Sequence, residues 1–169
     1  SNNSACGHKA LEENTTGSYN VAIGALALDD NTTANYNTAV GSAALTANTT
    51  GTQLVAVGAF ALDANTTASY NTAIGYGALT NNTTGAENTA VGRSALENNT
   101  TTNHNTAVGT GALGLNTANS NTAVGSAALV ANTTGTQNVS VGSHALDANT
   151  TASNNTAIGF ESMTANTTG

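Results

Sequence analysis

Asn37-Thr38-Ala39-Val40-Gly41 is the stretch that decides the fold. It returns as Asn71-Thr72-Ala73-Ile74-Gly75 and as Asn105-Thr106-Ala107-Val108-Gly109. The glycines that close it are Gly7, Gly24, Gly41, Gly58, Gly75, Gly92, Gly109, Gly125, Gly142 and Gly159. They are 17 residues apart, except for 16 between Gly109 and Gly125. Self-similarity at a fixed period is the signature of a repeat architecture, in which each unit buries its apolar strip only against its neighbours.

Working outward from each glycine, taken as position 0, the neighbours fall into columns. Position −1 is Val or Ile with Cys6 in the first copy, −2 is Ala except for Ser140, and −3 is Thr or Val with Ser4 in the first copy. Position −4 is Asn except for Leu54, +3 is Ala except for Ser162, and +4 is Leu with Met163 in the last copy. Position +7 is always Asn, usually followed by Thr-Thr.

Alternation at −3, −2 and −1 is the period-2 pattern of a short strand with two unlike faces. The glycine permits a tight bend. The Ala-Leu pair at +3 and +4 is expected to begin a second short extended segment, and Asn-Thr-Thr to form the next turn, where Asn and Gly tolerate left-handed backbone. Gly, Asn and Thr interrupt every stretch too often for a helix interior.

The fold class that follows is all-β: a parallel β-solenoid or β-roll of ten 17-residue coils. It forms a single repeat array over 1–169 with one short coil at 109–124 and no separate caps. Coils stacked at strand spacing would make a rod about 48 Å long. The expected core stripe is Ile23, Val40, Val57 and Ile74 with Leu28, Leu45, Leu62 and Leu79. Cys6 is expected to be a small buried apolar residue in the same column. Asn at −4 and at +7 should stack into ladders of side-chain amides along the rod.

Composition bounds the function. The chain has 26 asparagines, 32 threonines, 7% charged residues, no Pro or Trp, and a net charge of −7. Lys9 and Arg93 are the sole Lys and Arg residues, which argues against nucleic acid and anionic membrane surfaces as partners. No apolar run is long enough to insert in a membrane. His8, His104 and His144 occupy different repeat positions, so no metal site or catalytic triad is expected. A non-enzymatic protein without cofactor follows as the expectation.

The acidic residues at +5, such as Asp29 and Asp63, read as solvated surface charge rather than calcium ligands. Tyr19, Tyr36 and Tyr70 share position +12, where they would stack on sugars or pack on a neighbouring coil. Threonine rows on a flat β-face suit an ordered lattice such as ice, although Val21, Val55 and Val139 interrupt the −3 row.

Asn14, Asn31, Asn48, Asn65, Asn82, Asn99, Asn132, Asn149 and Asn166 each open an N-x-T triplet, the acceptor of covalent N-glycans. Read as acceptors, they would coat one side of the rod with sugar. Read structurally, they are a turn ladder. The chain also closes in phase with itself: Gly169 followed by Ser1 continues the 17-residue period. That leads to the expectation of a cut from a longer array or of head-to-tail stacking with copies of itself into a filament.

The repeats, with their Val21-Ala22-Ile23-Gly24 and Val55-Ala56-Val57-Gly58 cores, resemble the head repeats of YadA-like trimeric autotransporter adhesins and related tail-fibre-type β-roll repeats. The resemblance implies a parallel β-roll displayed outside the cell or on a virion surface, often as a trimer, with an adhesive role. The unit here is a few residues longer. The functional expectation is thus a structural segment of an extracellular fibre assembling end to end. The alternatives are an adhesin or phage tail-fibre head that binds a surface receptor, and an ice-binding solenoid.

Overall fold

The computed structural model describes residues 2–168. Ten three-residue strands occupy positions −3 to −1 of every repeat: β1 Ser4–Cys6, β2 Val21–Ile23, β3 Thr38–Val40, β4 Val55–Val57, β5 Thr72–Ile74, β6 Thr89–Val91, β7 Thr106–Val108, β8 Thr122–Val124, β9 Val139–Val141 and β10 Thr156–Ile158. All ten pair in parallel, in chain order, in one sheet. Like residues stand opposite like, as in Ala22↔Ala39↔Ala56. The molecule is an all-β parallel solenoid. At about 4.8 Å per step, the nine steps from β1 to β10 span about 43 Å.

Pairing between coils extends well beyond the strands. The amide of Leu28 donates to the Ala44 carbonyl at 3.0 Å, and the bond recurs from Leu45 to Ala61 and from Leu62 to Ala78, also at 3.0 Å. Leu26 N–H donates to the His8 carbonyl at 2.9 Å, and Thr15 N–H to the Thr32 carbonyl at 2.9 Å. Each coil thereby satisfies its backbone against the coils above and below it. Between the strands the chain is a succession of turns. The second extended segment expected at Ala-Leu is not there. The leucine of that pair has positive φ (52° at Leu28, 56° at Leu45), so the chain bends where a strand would run straight.

The left-handed positions also differ from expectation. They recur at +2, +4 and +12 and are held by residues such as Phe60, Leu62 and Tyr70, with Asn in that region only at Asn154. An L-residue there costs roughly 1–2 kcal/mol. The inter-coil ladder and the burial of Leu must offset that cost in every coil.

The core is one narrow column. Leu28, Leu45, Leu62 and Leu79 are fully buried, as expected, with the alanines at −2 and +3. The Val/Ile half of the expected stripe is overturned. Ile23 and Ile74 are exposed (45% and 40%), and Val40 and Val57 are half-buried. Strand alternation puts −3 and −1 on the same side, and here that side is the outside. Leu and two asparagines already fill the coil's cross-section, leaving room for a methyl group on the strand's inner face and none for a branched side chain. Cys6, in the same column, is correspondingly exposed rather than buried.

Position 0 explains why a glycine recurs there. Its φ lies between 131° and 139°, and a Cβ on Gly58 would stand 2.5 Å from the Gly75 carbonyl oxygen. The glycine column is a place where successive backbones come too close for a side chain, and Gly51, whose Cβ position falls against the Ala68 carbonyl, is another.

Candidate functional site

Two asparagine columns run through the interior. The +7 column is a true amide ladder: Asn65 Nδ2 donates to Asn48 Oδ1 at 2.9 Å, and Asn82 Nδ2 to Asn65 Oδ1 at 3.1 Å. The same Nδ2 also closes its own turn, from Asn65 to the Ala68 carbonyl at 3.2 Å and from Asn82 to the Gly85 carbonyl at 2.9 Å. The −4 column works differently. Asn37 Nδ2 reaches the Gly51 carbonyl at 2.8 Å, while its Oδ1 accepts from the backbone amide of Leu54 at 3.0 Å. Amides buried this deeply persist because their donors and acceptors are met.

These bonds favour the turn-ladder reading of the Asn-Thr-Thr asparagines over the glycan-acceptor reading. Asn31, Asn48, Asn65, Asn82, Asn99, Asn132 and Asn149 are fully buried. In each the nitrogen that would carry the sugar already donates into the ladder or to the turn carbonyl three residues on. Asn14 and Asn166, in the end coils, are half-buried. Their Nδ2 atoms donate likewise, to the Gly17 carbonyl at 3.1 Å and to Asn149 Oδ1 at 3.0 Å. Three further N-x-T triplets lie outside the +7 column, opened by Asn81, Asn98 and Asn154. All three are exposed, and the Asn98 Nδ2 donates to the Gly114 carbonyl at 2.9 Å.

The short repeat keeps this system with one interruption. It lacks one turn residue, so Asn116 donates to the Ala118 carbonyl at 2.7 Å, two residues on instead of three. The ladder lapses between Asn99 and Asn116, where the Thr102 hydroxyl donates to Asn99 Oδ1 instead. It resumes as Asn132 donates to Asn116 Oδ1 at 2.7 Å.

Two threonine rows have different fates. In the turn row at +8, hydroxyls donate to the next coil: Thr15 to the Thr32 carbonyl at 2.9 Å, Thr49 to Thr66 at 3.1 Å, Thr133 to Thr150 at 3.0 Å. In the sheet row at −3, the hydroxyls of Thr72, Thr89, Thr106 and Thr122 make no hydrogen bond among the described residues. Their half-buried side chains share the outer sheet face with the Val/Ile row.

The +12 column forms an exposed ridge. Tyr19 and Tyr36 stack with ring centres 5.1 Å apart and planes within 2°. Tyr70 lies one coil beyond Gln53 in that column, and further on His104 Nδ1 stands 3.1 Å from a Glu87 carboxylate oxygen. The packing alternative for Tyr19 and Tyr36 is thus met by each other. Phe60 and Tyr76 meet edge to face at 5.7 Å.

His144 Nδ1 lies 3.2 Å from Asp147, and Lys9 pairs with Glu12 at 2.8 Å, where that carboxylate holds the Lys9 ammonium above its usual value. The three histidines therefore sit apart, two of them in separate surface pairs. Among the described residues no cluster of metal-ligating side chains and no enclosed cavity occurs. Among the described residues no helix is long and apolar enough to cross a membrane.

Fold and surface together define a parallel β-solenoid repeat protein, with an amide-laddered interior and three kinds of exposed row. No protein-family model, curated protein or solved structure matches the chain.

Proposed function

We propose that this chain is a non-catalytic, stiff rod segment of a fibre outside the cell, assembled by stacking coil on coil. The observation that carries the reading is the uniformity of the stacking surface. The Leu-to-Ala backbone bond, the glycine contact and the Asn columns repeat with nearly constant geometry from coil to coil. A following coil from another copy would meet on β10 the same kind of surface that β9 presents to β10. Met163, in the leucine column, is 44% exposed there, whereas Leu146 one coil earlier is fully buried.

Function in this reading is mechanical. The backbone ladder resists extension, and the amide columns resist shear between coils because sliding would orphan buried donors. Sparse charge and short turns leave proteases little extended chain to grip.

Electron microscopy of the purified protein at rising concentration tests the proposal. The expected result is rods whose lengths are multiples of one chain, and particles of a single chain length at every concentration would overturn it. Met163→Asp should leave the chain folded and abolish the longer rods, since a carboxylate would be buried at the new contact.

An adhesive head, as in the families the repeats resemble, is the second reading. The exposed Tyr19, Tyr36 and Tyr70 ridge favours it. Loss of surface attachment in a Tyr19→Ala, Tyr36→Ala, Tyr70→Ala variant that still forms rods would separate the two roles.

A further inference from the structure

The outer sheet face is a regular surface that the stacking mechanism leaves unused. From β2 to β10 every outward residue, at −3 and at −1, is Thr, Val or Ile, and none is charged. In β5 to β8 the −3 residue is Thr in four consecutive coils, each followed two positions on by Ile or Val. These strands are in register, so the side chains form a rectangular grid.

The fold does not require threonine at −3. Val21, Val55 and Val139 take the same place in the sheet. The hydroxyls of Thr72, Thr89, Thr106 and Thr122 serve no bond among the described residues, whereas those of the turn row are spent between coils.

The grid repeats at about 4.8 Å between strands and about 6.6 Å between −3 and −1 along a strand. A tetrahedral water lattice built on O–H···O contacts of about 2.75 Å repeats at about 4.5 Å and about 7.3 Å. The mismatch between strands accumulates to about 1 Å over the three steps from β5 to β8. That is well under one water spacing. Over all nine steps it approaches a full spacing, so a patch of about four coils is as long as a single registered contact can usefully be.

We infer that the β5–β8 stretch of this face binds the surface of crystalline ice, with the threonine hydroxyls continuing the lattice and the methyl groups seated between its waters. A second copy docked on the same face fits less well. The face measures roughly 43 by 10 Å, or about 400 Å², half the area that each partner of a stable interface contributes. An ice surface needs no complementary side-chain packing of its own, and its lattice lies in near register with the patch over those four coils.

The test is ice-crystal shaping and ice recrystallisation by the purified full chain. The wild type is expected to shape ice and slow recrystallisation. Thr89→Tyr, which raises a ring in the middle of the grid, should lose most of that effect with its melting temperature retained. Val55→Thr extends the threonine row from Thr38 to Thr122 without a gap and should strengthen it. Tyr70→Ala, off the grid, should leave it unchanged.

Folded wild-type protein that leaves ice growth unaltered overturns the inference. So does full activity in Thr89→Tyr, or a face-to-face dimer in sedimentation without an ice effect. Met163→Asp separates this from the fibre proposal: it should remove long rods and keep ice shaping.

Discussion

At the residue scale the molecule rests on positions where one atom decides between fit and clash. Gly58 is such a position, because its missing Cβ is where the Gly75 carbonyl oxygen sits, 2.5 Å away. Gly159 has the same backbone, at φ 131°, yet the nearest atom to its Cβ position is Ser162 Cβ at 3.8 Å. Gly58→Ala combines backbone strain with a backbone clash and should cost more than about 3 kcal/mol, whereas Gly159→Ala meets strain alone, about 1–3 kcal/mol. Urea titration of the two variants checks the difference, and equal losses would show that coil contact is not what fixes the glycine.

Asn65 is the second residue of this kind. Asn65→Ala leaves Asn48 Oδ1 and the Ala68 carbonyl without this donor and takes one of the two acceptors of Asn82 Nδ2, which keeps the Gly85 carbonyl. At about 1–3 kcal/mol for each orphaned buried group, the variant should lose several kcal/mol. A midpoint within experimental error of wild type would refute the ladder's role. The asparagine columns were legible in the sequence as a period. Their burial was not, because N-x-T reads the same whether its amide faces solvent or the next coil.

At the element scale, strand and turn differ in what they tolerate. The repeat at 109–124 has already lost one turn residue, and Thr106↔Thr122 still pair in register. Deleting Thr67 would turn Asn65-Thr66-Thr67-Ala68 into the natural Asn-Thr-Ala of residues 116–118. It should therefore be tolerated at a modest cost in melting temperature. Deleting Ala56 shifts β4 by one residue and sends Val55 or Val57 into a space that holds one methyl group, so that variant should not fold as an array. Circular dichroism and sedimentation of the pair check this, and a stably folded Ala56 deletion would contradict the inward assignment of the alanines.

The strands themselves were readable from the alternation in Thr-Ala-Val. Which face points in was not. Hydrophobicity favoured Val40 over Ala39, while the space inside the coil favours Ala39.

At the scale of the whole molecule, stability should be close to a sum of coil and nearest-neighbour contributions. Excising one full repeat, residues 59–75, joins Gly58 to Tyr76 with every column still in phase. The shortened chain should fold, with a denaturant m-value lower by about a tenth, in proportion to the surface lost. A chain that fails to fold after that excision would show that the coils are not interchangeable.

The sequence by itself determined the period, the parallel in-register stacking, the strand positions, the leucine column and the two asparagine columns. Each of those is a statement about repetition along the chain, and stacking turns repetition directly into contact between like residues. Tertiary structure alone decided the rest. It placed the Val/Ile row outside, put Leu28 and Tyr36 in left-handed backbone, and buried the asparagine amides inside the coils. Those outcomes depend on the cross-section of a closed coil, a volume shared by residues far apart in the repeat. No local pattern records how much room is left inside.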